Sequence, residues 1–141
     1  SAPAEAQARG IAVTTIKHDR PCDYQTMLRV TVETGERTRT VAGTLFAESL
    51  PRLVDVQGIA IEAEFGAHML YVRNYDKPGF IGALGSALGD AGVNIATFHL
   101  GRREEGGEAV ALVEVDSAVS EGLLAAVKKL PNVARVDALK F

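Results

Sequence analysis

The sequence is short of several things, and each shortage removes a class of function. It has one cysteine, Cys22, so no disulfide can form within the chain, which fits a reducing, cytoplasmic setting. No activating pattern surrounds that thiol, so it reads as structural or incidental rather than nucleophilic. No basic run is present and the net charge is −3, which argues against nucleic acid as a partner. No apolar stretch is long enough to span a membrane, and no signal-peptide pattern opens the chain. His18, His68 and His99 are scattered without metal-ligand spacing. No glycine-rich dinucleotide fingerprint follows a strand. The catalytic and metal residue sets expected of this chain are therefore empty, and no cofactor is expected within it.

What remains is a folding sequence, 47% hydrophobic and 23% charged over 141 residues, enough for one ordinary domain or two small ones. Residue 1 is Ser, and Pro3 to Arg9 reads as a short helix ending at Gly10, so the chain is expected to be a piece of something longer. Ile11 to Ile16 reads as a strand. Leu28, Val30 and Val32 alternate with polar residues, Thr34-Gly35-Glu36 turns the chain, and Thr38 to Phe46 returns. Leu53 to Val56, Gln57-Gly58 and Ile59 to Ala63 make a second hairpin. These strands have one short helix to cover them, so this part is expected to be incomplete or covered by a second chain.

The second half changes rhythm. His68 to Arg73 is a strand, and Pro78 opens a helix with Ile81, Leu84, Leu88 and Ala91 on one face. After Gly92, Asn94 to Leu100 is a strand, and Gly101 to Glu108 is a polar loop in which Arg102, Arg103, Glu104 and Glu105 contact water. Ala109 to Val115 is an apolar strand, Ser120 caps a second helix, and Val133 to Leu139 closes the unit. The fold class is α+β: a ferredoxin-like βαββαβ unit over 67–141, preceded over 1–66 by a mostly antiparallel β segment with a short N-terminal helix.

The sharpest local feature is Arg73-Asn74-Tyr75-Asp76-Lys77-Pro78-Gly79-Phe80-Ile81-Gly82, which joins a strand to a helix. Gly79 and Gly82 strip bulk from the first helical turn, whose unpaired N–H groups can receive a carboxylate. Asn74 and Asp76 can hold an ammonium and a hydroxyl, and Asn94 adds a further donor and acceptor. Singly, Asp76 also reads as a helix-start residue and Asn94 as a turn residue. In this order, at these junctions, the set reads as a site for a small amino acid.

Asp76-Lys77-Pro78-Gly79-Phe80-Ile81-Gly82, followed by Gly92-Val93-Asn94-Ile95, resembles the signature of ACT domains. Arg39-Thr40-Val41-Ala42-Gly43-Thr44-Leu45-Phe46, then Pro51-Arg52-Leu53-Val54 and Gly58, resembles the intervening domain of long-form bacterial D-3-phosphoglycerate dehydrogenase, which directly precedes an ACT domain. The resemblance implies a regulatory region of an NAD-dependent oxidoreductase of serine biosynthesis, whose catalytic domains lie outside this chain. It implies L-serine as feedback effector at the interface of a homodimer or higher homo-oligomer. Asn74, Asp76, Gly79, Phe80 and Ile81 of one subunit, with Asn94 of the partner subunit, would line that site. Asn74 stands where the family carries His or Tyr. Some relatives bind an anion in the intervening domain through basic residues, for which Lys17, Arg39 and Arg52 are the candidates here. Three alternatives stay open: the module of an iron-sulfur L-serine dehydratase, a ligand-free interaction module, and a small acyl phosphatase on the same fold. Asp76 speaks against the last, because it would repel phosphate.

Overall fold

A computed structural model describes residues 1–17, 24 and 26–141. His18 and Cys22 lie outside the described residues. The order is α1 (Ala2–Ala8), β1 (Met27–Glu33), β2 (Thr38–Phe46), β3 (Leu50–Val56), β4 (Ile59–Glu64), β5 (His68–Tyr75), α2 (Phe80–Asp90), β6 (Ile95–Arg102), β7 (Glu108–Val115), α3 (Glu121–Lys128) and β8 (Val133–Lys140). Two four-stranded antiparallel sheets result, ordered β1-β2-β3-β4 and β6-β7-β5-β8. The second order, with α2 and α3 on one face, is the ferredoxin-like arrangement.

The strand β5 explains the layering. Its even residues Leu70 and Val72 join Phe80, Leu84, Leu88, Leu123 and Val127 of the helices in one core. Its odd residues Met69 and Tyr71 join Val56, Ile59, Ile61 and Ala63 of the first sheet in another. Strand β7 likewise gives Ala111, Val113 and Val115 to the helices and Val110 and Leu112 to the first sheet. Buried on both faces, it has no polar side to alternate with, hence its continuous apolar run.

The hairpins follow local chemistry. Gln57 and Gly58 both take positive φ, 54° and 80°, the geometry of a tight two-residue β-turn. Gly101 answers a different demand. A Cβ there would collide with the Ala60 carbonyl, because β6 crosses β4 with backbones nearly touching.

Three expectations need correction. Ile11 to Ile16 is not a strand: Ile11, Val13 and Ile16 are exposed and no described strand pairs with them, and alternation makes a strand only where a partner completes the ladder. Pro78 does not begin α2, because Gly79 intervenes as an N-cap at φ 91°, and the helix starts at Phe80. The buried stripe of α2 is therefore Phe80, Leu84 and Leu88, while Ile81 and Ala91 are exposed. Strand β3 also begins earlier than its apolar core, at Leu50, with Pro51 in its first positions. Strand β1 is open on both faces, and Leu28, Val30 and Val32 are each about half exposed or more.

Candidate functional site

The chain leaves β5 at Tyr75 and enters α2 at Phe80, and the turn between them forms one wall of an open groove of about 330 Å³. Asp76, Lys77, Pro78, Gly79, Phe80, Ile81 and Gly82 line it from that side, and Leu100, Arg102 and Glu105 from β6 and the loop beyond. The floor is the first turn of α2. No side chain caps that turn and no acidic residue lies in it; the Phe80 N–H donates to the Lys77 carbonyl at 3.4 Å, while the Ile81 and Gly82 N–H groups and the positive end of the helix dipole have no side-chain partner among the described residues. A Cβ on Gly82 would meet only open space, so that glycine keeps the groove wide rather than relieving a clash.

Asp76 is the anchor. Its backbone N–H donates to the Gly107 carbonyl at 2.8 Å, tying the turn to the β6–β7 loop. Its Oδ2 accepts from Arg102 Nη1 at 2.7 Å and from the Gly106 N–H at 3.3 Å. The Arg102 guanidinium first, then the Gly106 N–H, hold the Asp76 carboxyl below the usual carboxylate range, so it is ionised at neutral pH. The same bond raises Arg102 above its ordinary value. Arg102, expected from its polar loop to contact only water, instead pairs with Asp76. No local pattern could have found the pair, since its members are 26 residues apart and meet only when β6 folds beside the β5–α2 turn.

The remaining expected residues scatter. Gly79, Phe80 and Ile81 line the groove with Asp76. Asn74 does not: it is 3% exposed on the helix-facing side of β5, with its Nδ2 donating to the Tyr75 carbonyl. Its Oδ1 is buried with no partner, the kind of acceptor that costs about 1–3 kcal/mol when left unmade. Asn94 sits before β6, where its Nδ2 donates to Asp116 Oδ2 at 2.8 Å. Tyr75 pairs with Glu108 at one end of β7 and Ile95 with Val115 at the other. Seven residue steps of strand, about 24 Å, therefore separate Asp76 from Asn94 within one chain.

The anion candidates do not converge. Arg52 pairs with Glu64 at 2.6 Å and stacks on the Phe46 ring at 5.1 Å. It lies opposite Thr44, while Arg39 lies five residues back along β2, about 17 Å away. Lys17 is exposed outside any element. Among the described residues no group of three His, Cys, Asp or Glu side chains could hold a metal, and no helix is long and apolar enough to cross a membrane.

The second unit is thus a ferredoxin-like βαββαβ domain with an open groove at its first strand–helix turn. Residues 68–132 match the ACT domain family, and residues 1–57 match the family described as D-3-phosphoglycerate dehydrogenase intervening domain. The chain belongs to the intervening-and-ACT region of the D-3-phosphoglycerate dehydrogenase family. It is 32% identical to D-3-phosphoglycerate dehydrogenase of Bacillus subtilis over 136 residues, 96% of this chain and 25% of that protein. It is 33% identical to the Synechocystis enzyme of that name over 143 aligned positions, 100% of this chain and 26% of that protein. A third, from Methanocaldococcus jannaschii, is 29% identical over 118 residues, 84% of this chain. The chain thus spans about a quarter of the length of these relatives.

Proposed function

We propose that this chain is the regulatory part of a D-3-phosphoglycerate dehydrogenase and binds L-serine as feedback effector in the Asp76–Gly82 groove. The observation that carries the reading is an ionised Asp76 beside the uncapped first turn of α2. A zwitterion fits both: its ammonium meets the carboxylate and its carboxylate meets the helix N–H groups. Phe80 and Ile81 belong to that turn, while Asn74, buried on the helix-facing side of β5 and outside the groove, does not reach the ligand directly.

Asn94 enters from a second copy. A two-fold axis that runs two of these sheets antiparallel brings the Asn94 end of one beside the Asp76 end of the other. One N–H of the Asn94 amide is spent on Asp116, which leaves its second N–H and its oxygen for the ligand. The effector site is thus built from a homodimer. We divide the chain at 66/67, with an intervening unit before and the ACT unit after. The chain itself holds no cofactor and performs no chemistry; NAD-dependent oxidation, in the cytoplasm, belongs to domains outside it.

Isothermal titration with L-serine tests the reading, with sedimentation alongside. Heat at millimolar serine and a dimeric mass are expected. A silent titration with no thermal shift would sink it, and a strictly monomeric chain would remove the shared site.

A further inference from the structure

We propose that Arg102 reads the carboxylate of the bound amino acid while it holds Asp76 in place. The inference rests on the groove being an amino-acid site and names the residue that makes it selective for a free carboxylate. Both bonds to the Asp76 carboxylate, from Arg102 Nη1 and from the Gly106 N–H, land on Oδ2. Among the described residues Oδ1 has no such bond, so one oxygen is fixed by the protein and the other is open. Arg102 is in the complementary state. A guanidinium carries five N–H donors in a rigid fork, and one of them is spent on Asp76. Its side chain is 54% exposed in the groove, against 21% for Asp76, so the remaining donors are within a ligand's reach.

An α-amino acid places its ammonium and carboxylate on one carbon. A receptor for both therefore needs an acceptor and a donor side by side, and Asp76 Oδ1 beside the free edge of Arg102 is such a pair. The guanidinium suits the task because its planar fork can serve two carboxylates at once, one of the protein and one of the ligand. Lys77 also lines the groove and is the rival cation. Its ammonium lies near Gly106, on the loop side.

The test titrates the whole 141-residue chain with L-serine and with L-serinamide, at mildly acidic pH where both ammonium groups are protonated. The two ligands share ammonium and hydroxyl and differ in the charged carboxylate. The wild-type chain should prefer serine by about tenfold or more, the worth of a charge-assisted hydrogen bond. In Arg102→Gln that preference should fall severalfold, leaving only the share that the α2 N–H groups contribute, while Lys77→Gln keeps it. Arg102→Lys, which retains charge but not the fork, should fall between, and it carries the test if Arg102→Gln does not fold. Loss of Asp76 orientation alone would weaken both ligands together and leave their ratio unchanged. An Arg102→Gln chain that still discriminates as wild type overturns the proposal, as does a Lys77→Gln chain that stops discriminating. A wild-type chain that binds neither ligand overturns the serine reading itself, which separates the two failures.

Discussion

Helix α3 begins at Ser120, whose hydroxyl accepts the Leu123 N–H at 3.2 Å, with Glu121 in the first turn. Helix α2 begins at Gly79 with neither a side-chain acceptor nor an acid. Both helices lie on the same face of the same sheet and bury the same kind of stripe, Leu123 and Val127 in one, Phe80, Leu84 and Leu88 in the other. One N-terminus is capped by its own side chain; the other is not, and under the proposed function its free donors await the effector. The folded domain tolerates the second arrangement because α2 is held by its apolar stripe, not by its cap. If the proposed function holds, a helix start left uncapped beside a carboxylate gives up a little stability for reception, and that exchange is open to test.

The comparison can be broken at several points. Asp76→Asn keeps the groove's shape and removes its anion; L-serine affinity should fall by about a hundredfold by calorimetry, consistent with losing a charged partner. The melting temperature should hardly move, because an exposed Asp–Arg pair contributes little. Gly82→Glu makes α2 resemble α3. The open space at Gly82 accepts the side chain, the helix gains about 0.5–1 kcal/mol from replacing glycine, and serine binding should be lost. Stability and binding moving in opposite directions is the signature; a destabilised chain that still binds would refute the exchange. Ser120→Ala is the mirror change, costing about 1 kcal/mol in urea denaturation with serine affinity intact.

The smallest effect concerns acid. Asp76 has its folded-state value depressed, so its contribution to stability is present above the ordinary carboxylate range, about pH 4, and is lost as pH falls through the depressed value. Serine affinity should accordingly stay flat from about pH 8 down to pH 5 and decline only below that range. A decline centred near neutral pH would mean that a different group carries the ammonium.

Much of this domain is written locally. The order of the ACT elements, the Gln57-Gly58 turn, the Ser120 cap and the Asp76–Gly82 turn all rest on residues within a few positions of one another, where periodicity and turn chemistry operate. Four features rest on distant partners, and there local pattern fails. Ile11 to Ile16 alternates like a strand but finds no ladder. Ile81 seemed part of the buried face, but the core built with β5, β7 and α3 takes Phe80, Leu84 and Leu88 and leaves Ile81 outside. Arg102 looked like solvent-facing loop chemistry and proves to be the partner of Asp76. Asn74 was legible as polar and near the turn, but its burial away from the groove depends on which side of β5 meets the helices.

Any side chain at Gly101 would run into the Ala60 carbonyl, so β6 and β4 lie this close only because residue 101 is glycine. Next to it, Arg102 holds the groove's carboxylate, and Arg103 Nη2 donates to the Gln57 carbonyl at the tip of the β3–β4 hairpin, 3.0 Å away. Neighbouring strand residues point to opposite sides. Two adjacent residues thus bond to opposite sides of β6, one to the groove and one to the first sheet.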